Sequence, residues 1–230
     1  MSYNIVLGRG EADKKSFTDR GLIYIGKGFV KMGQYTSLSN NIFMDIARSH
    51  VVLVAGKRGS GKSYTLGVIA EELSNLPKEI SQNLSSLIFD TMGIYWTMKF
   101  QNQKDKELLS EWNLKSKNLS VKIFVPSGHF DSYIEKGIPV DEKFALDVSE
   151  MSAEDWILTF NLNMTHPISI LIERVISKLK EEENYYIKDI TEQIEKDEKS
   201  GREIKDATIA LFEAANTWGV LENLERTQHK

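Results

Sequence analysis

Cysteine is missing altogether from the 230 residues. Disulfides, thiolate metal sites and cysteine nucleophiles are thereby excluded, and the absence fits a reducing compartment. No apolar run reaches the roughly 18 residues that a membrane-spanning helix requires. Met1-Ser2-Tyr3-Asn4 opens no signal-peptide pattern. The expectation is therefore a cytoplasmic chain with no membrane partner. A basic excess is missing too: the formal net charge is −4. A free-standing nucleic-acid binder usually carries a basic face, so composition leaves room only for a local basic loop or a channel formed on assembly. His129 and His166 stand isolated, without ligand spacing, and offer no metal site beyond Mg²⁺. No internal repeat and no low-complexity linker occurs.

Hydrophobic residues make up 41% and charged residues 27%, an ordinary globular composition with material for a core. The length suits one α/β domain, or one domain with an appendage. The chain is organised around Gly56-Lys57-Arg58-Gly59-Ser60-Gly61-Lys62-Ser63, which follows the apolar run Val51 to Ala55 and precedes a helical pattern from Lys62. This is the G-x-x-x-x-G-K-[ST] phosphate loop in its context of strand, loop and helix. Gly56, Gly59 and Gly61 allow a tight turn in which successive N–H groups converge on an anion. The helix N-terminus adds partial positive charge at the same spot. Lys62 reaches the β- and γ-phosphates as a point charge, and the Ser63 hydroxyl joins the shell of Mg²⁺. The expected cofactors are ATP and Mg²⁺, bound by residues 56 to 63 together with Tyr64.

The fold expected is α/β: a core of mainly parallel sheet, a short N-terminal β segment and a C-terminal helical region. The divisions are 1–50, 51–150 and 151–230. In the first, Asn4 to Leu7 reads as a strand, Glu11 to Arg20 as a charged loop, and Leu22 to Met32 as a short hairpin turning at Gly26-Lys27-Gly28. In the second, the helix after the loop carries Leu66, Ile69, Ala70 and Leu73 at helical spacing and stops at Pro77. Ser86 to Asp90, Val121 to Val125 and Phe144 to Val148 read as further strands, and Lys104 to Lys117 as a surface helix. In the third, Ser152 with Asp155 resembles a capping box, and Pro167 starts a helix striped by Ile168, Leu171, Ile172, Val175, Ile176 and Leu179. Glu181 to Glu183 and Glu192 to Glu203 read as solvated helix or loop. Ile204, Ala207, Leu211, Ala215 and Trp218 mark a last amphipathic helix, and Glu225 to Lys230 read as a frayed end.

An ATPase of this type also needs a carboxylate at a strand end to hold Mg²⁺ through water. Asp90 is the candidate, as metal partner and, with Lys62, as catalytic residue; the alternative is an Asp that opens a turn. Asp147 is a weaker candidate on the same ground. No apolar strand ends in Asp-Glu. His50, just before the loop strand, either touches the nucleotide or a neighbouring chain, or is a partly buried residue bonded to a backbone carbonyl, the reading preferred here. Arg58 meets a phosphate, projects toward a neighbouring subunit, or stays in solvent.

From Asp45 through Glu72 the chain resembles the HerA–FtsK superfamily of ATPases, particularly HerA-like helicases. The resemblance rests on Arg48-Ser49-His50, the loop Gly56 to Ser63, and Tyr64-Thr65-Leu66-Gly67. Asp90-Thr91-Met92-Gly93-Ile94-Tyr95 is similar to the family's second-strand motif, although many members carry Glu where this chain has Ile94. The resemblance is sharp over some 50 residues and loose over about 180. It implies a RecA-like P-loop core that hydrolyses ATP with Mg²⁺, commonly as a homo-hexameric ring acting on DNA, often beside a nuclease or another effector. The family's Asp-Glu strand, polar sensor and arginine finger would fall beyond Lys230, so the chain is expected to be the N-terminal portion of a longer ATPase that by itself hydrolyses weakly or not at all. Two functions stay open, a DNA translocase or helicase subunit and a nucleotide-binding switch or scaffold. A phosphotransferase would need a substrate lid that the sequence does not display.

Overall fold

A computed structural model describes residues 3–182 and 184–221. The chain divides into two compact units, residues 1–120 and 121–230.

The first unit opens on β1 (Ile5–Leu7), α1 (Glu11–Phe17), β2 (Leu22–Met32) and β3 (Tyr35–Asp45). β3 lies in the middle of the sheet, parallel to β1 (Ile5 opposite Ile42) and antiparallel to β2 (Met32 opposite Tyr35). The expected hairpin inside residues 22–32 is not formed. The segment is one continuous strand, and the register slips between Tyr24 and Gly26 and between Lys27 and Phe29, so Gly26 and Gly28 sit at bulges rather than in a turn. The chain reverses instead at Gly33, whose φ of 63° is readily adopted by glycine.

The expected charged loop is likewise a helix, α1. Glu11 and Asp13 lie in its first turn and Lys14 and Lys15 in its last, the order the helix dipole favours. α1 buries no residue; long-range contacts hold it. Arg48 pairs with Asp13 at 3.0 Å and lies over the Phe17 ring.

After β3 the chain continues without further strand into α2 (Lys62–Ser74), α3 (Lys78–Ser81), a 3-10 turn at Tyr95–Lys99 and α4 (Lys106–Glu111). α2 ends three residues before Pro77 and packs against β2. The runs expected as parallel strands at 51–55 and 86–90 pair with no other segment among the described residues, and Leu53 and Phe89 are 89% and 84% exposed. A strand exists only through its ladder, so these runs form no strand and the mainly parallel sheet is absent among the described residues. Parallel pairing is confined to β1 with β3 and to the second unit.

The second unit begins with β4 (Phe124–Pro126), parallel to β5 (Glu142–Phe144), with α5 (Phe130–Glu135) between them. Four helices follow: α6 (Ala153–Thr159), α7 (Pro167–Leu179), α8 (Ile187–Glu195) and α9 (Arg202–Asn216). The capping box is present, with Ser152 and Asp155 each bonding the other's backbone N–H. Hydrogen bonds from the Ser152 backbone and side chain hold the Asp155 carboxyl below the usual carboxylate range. Pro167 opens α7, whose stripe from Leu171 to Leu179 is buried, with Ile168 packed beside it.

Residues 187–195 form an amphipathic helix that buries Ile187, Ile190 and Ile194, while Glu192, Glu195 and Glu203 are exposed, in line with the solvated helix or loop expected from residue 192. The facing of the last helix differs from the expectation. α9 faces the core with Thr208, Phe212 and Ala215, while Ala207 and Trp218 are exposed. Phe212 stacks edge-on against Trp156 at 4.9 Å and Phe160 at 5.3 Å, and that aromatic cluster sets the rotation of the helix. Glu183 and the expected frayed end from Glu225 to Lys230 lie outside the described residues.

Candidate functional site

The phosphate loop is built by its backbone. Gly59 and Gly61 adopt φ of 79° and 88°, and Gly61 is the left-handed residue that turns the chain into α2. Gly56 differs: its φ is not in the left-handed region, and a Cβ there would stand 2.3 Å from the Ser60 hydroxyl, which would have to rotate aside, and 3.2 Å from the Ser60 Cβ. The Ser60 amide donates to the Lys57 carbonyl at 3.2 Å and the Thr65 amide to the Gly61 carbonyl at 2.9 Å. The amides of Gly59, Gly61, Lys62, Ser63 and Tyr64 donate to no group among the described residues. A pocket of about 290 Å³ is lined by these same five residues.

Lys62 curls back over the loop, its ammonium donating to the carbonyls of Gly56 at 2.8 Å and Lys57 at 2.9 Å. An ammonium has three donors, so one remains for an incoming acceptor. The Ser63 hydroxyl makes no hydrogen bond among the described residues and stands exposed. The donor set therefore suits a polyphosphate with a hard cation: free amides, one ammonium and one free hydroxyl, without a sulfur or imidazole. Lys57 and Arg58 project from the loop exposed.

Asp90 is placed differently from a lone strand-end carboxylate. One of its oxygens accepts the N–H groups of Ile94 at 2.7 Å and Tyr95 at 2.8 Å, and the other accepts that of Met92 at 3.3 Å. The turn it closes passes through Gly93, at φ 62°. Tyr95 then reaches across to α2, and its hydroxyl donates to the Ser63 carbonyl at 2.9 Å. Sequence reasoning had passed over Tyr95 as a site residue; its only local signal is an aromatic two residues after a turn glycine. Asp147 also caps a turn, accepting the Ser149 amide at 2.9 Å and hydroxyl at 2.7 Å.

A second constellation lies at the end of β3. Arg9 and Asp45 are buried and bonded to each other, and the guanidinium also donates to the carbonyls of Thr18 at 2.6 Å, Arg20 at 2.7 Å and Gly21 at 3.2 Å. His50 Nε2 meets the other Asp45 oxygen at 2.9 Å, so its partner is a carboxylate, not the expected backbone carbonyl. Burial pushes the Asp45 carboxyl up, but hydrogen bonds with His50, Arg9 and the Ala47 amide outweigh it and hold the group below the usual range. His166 bonds locally, accepting the Ile168 amide, whereas His129 meets the Trp218 carbonyl at 3.1 Å across 89 positions of sequence. Among the described residues no three His, Cys, Asp or Glu side chains converge as a metal cluster, and no helix is long and apolar enough to cross a membrane.

The family model described as helicase HerA, central domain, matches residues 30–228 of the chain. No curated protein and no solved structure matches the chain.

Proposed function

The chain belongs to the family of the helicase HerA central domain, a family of ATPase and helicase type, and from that premise we propose that it binds ATP with Mg²⁺ at residues 56–64 and serves as the nucleotide-binding part of a DNA translocase or helicase. The observation that carries the reading is the row of five unpartnered amides at the mouth of α2, with the spare donor of Lys62 beside it. Unmade amide bonds of this kind are the chemistry that an anion satisfies. Lys62 holds the terminal phosphates, the Ser63 hydroxyl takes a place on the cation, and Tyr64, 66% exposed, offers its ring beside them. The cation neutralises charge on the β- and γ-oxygens. Assembly with copies of itself and a path for DNA, with a nuclease or another effector alongside, belong to the same proposal.

The test is calorimetric titration with ATP and Mg²⁺. Lys62→Ala removes a charge-assisted contact, and triphosphate affinity is expected to fall by roughly 10- to 100-fold, while adenosine affinity stays unchanged. An equal loss for adenosine, or no heat from the wild-type protein, sinks the reading.

A second reading, a nucleotide-gated switch with slow turnover, is favoured by one feature. The carboxylates at positions 90 and 147 are both bonded to turn amides, and Ile94 stands where related motifs carry glutamate. Hydrolysis that DNA stimulates, with a steep dependence on salt, favours the motor. Tight binding with negligible turnover favours the switch.

A further inference from the structure

We propose that Tyr95 is a positioning residue of the phosphate loop, acting through Ser63, and that Asp90 serves it as the cap of its turn rather than as a ligand of the cation. The inference rests on the reading of residues 56–64 as a Mg²⁺-nucleotide site.

Three observations carry it. First, the Tyr95 hydroxyl donates to the Ser63 carbonyl at 2.9 Å across 32 positions of sequence. Ser63 lies in the first turn of α2, beside Lys62, where its own N–H has no intrahelical partner, and the Tyr95 hydroxyl grips the residue by its carbonyl instead. A side-chain donor there restrains the residue whose hydroxyl faces the cation. Second, the Tyr95 ring runs along the helix one turn further on, since a Cβ at Gly67 would lie 3.8 Å from its Cε1. Third, the turn that carries Tyr95 is closed on itself. Asp90 accepts three of its amides, and the Trp96 indole donates to the Gly93 carbonyl at 3.0 Å. An ionised carboxylate offers about four acceptor positions, and three of those on Asp90 are engaged. The carboxylate thus sets the direction of the Tyr95 backbone, and Tyr95 sets Ser63.

The geometry separates two roles that a simple loss of affinity would not. A positioning residue that acts on Ser63 affects binding in which the cation takes part. Titrations with a non-hydrolysable ATP analogue, with Mg²⁺ and with EDTA, read this directly on the whole chain. Tyr95→Phe keeps the ring beside Gly67 and removes only the hydroxyl. It is expected to weaken the Mg²⁺ complex by about 3- to 10-fold, the range for one neutral hydrogen bond, and the cation-free nucleotide by less than about 2-fold. Asp90→Ala is expected to reproduce that Mg²⁺-dependent loss. Asp90→Asn keeps an acceptor for the Ile94 and Tyr95 amides and is expected to recover most of it.

Equal affinities for wild type and Tyr95→Phe overturn the proposal, as does an equal loss with and without Mg²⁺. If Asp90→Asn loses Mg²⁺ dependence as completely as Asp90→Ala, the carboxylate is a ligand and the cap role falls. Amide exchange in the nucleotide-free protein adds an independent reading. Tyr95→Phe is expected to speed exchange at Gly67 while leaving α7 unchanged, and unchanged rates at Gly67 also overturn the proposal. Absence of binding by the wild type defeats the underlying site assignment, whereas wild-type binding untouched by Tyr95→Phe defeats this inference alone.

Discussion

The two units of this chain solve the problem of apolar sequence in opposite ways. In residues 121–230 the apolar stripes of α6 to α9 meet one another, and Trp156, Leu171, Ile172, Ile190, Ile194 and Phe212 are fully buried. In residues 1–120 the apolar runs 51–55 and 86–90 stay unpaired and largely exposed among the described residues, and the most deeply buried contact is an ion pair, Arg9 with Asp45. A helix satisfies its own backbone and needs a neighbour only for its side chains. A strand needs a neighbour for both. The phosphate loop itself requires neither, because glycine torsions, Lys62 and the start of α2 shape it locally. The unit with the weaker core therefore carries the candidate site.

The contrast can be broken most forcefully in the helical core. Phe212→Ala removes an aromatic packed on Trp156 and Phe160 and is expected to cost about 3–5 kcal/mol, read as faster amide exchange across α7 and α8. A comparable loss is expected in the first unit from Asp45→Ala, about 3–5 kcal/mol, because the buried Arg9 charge is left unpaired. Its pH dependence identifies the cause. The Asp45 carboxyl lies below its ordinary value when folded, so the stabilisation is complete above about pH 4 and disappears as pH falls through the folded-state value. The difference between wild type and Asp45→Ala in denaturant melts should therefore shrink in acid; a constant difference refutes the ion-pair account.

Smaller effects sharpen the same comparison. Ser152→Ala deletes the α6 cap and is expected to cost about 1 kcal/mol in chemical denaturation. Leu53→Thr, in an exposed and unpaired run, is expected to change stability by less than about 0.5 kcal/mol in the same assay. A loss of 2 kcal/mol or more there would mean that residues 51–55 are covered in solution.

Much of the site and part of the fold could be read from residues close together in sequence. The spacing of Gly56, Gly59, Gly61 and Lys62 announced the loop, Ser152 with Asp155 the start of α6, and Pro167 with its stripe the whole of α7. Each is a signal that repeats or closes within a few residues. α1 has no legible local signal, because its support comes from Arg9 and Arg48 rather than from a stripe of its own. The facing of α9 is ambiguous in sequence, because Thr208 and Phe212 compete with Ala207 and Leu211 for nearly the same helical spacing, and only the aromatic cluster decides between them.

The amino-acid order by itself determined the glycine loop at 56–61 and its turn into α2, since torsion, donor count and helix polarity are properties of consecutive residues. Tertiary structure alone decided that Asp45 joins Arg9 across 36 positions and Tyr95 joins Ser63 across 32. The physical reason is that hydrogen bonds between distant segments depend on where the backbone brings them, and no local period encodes that meeting.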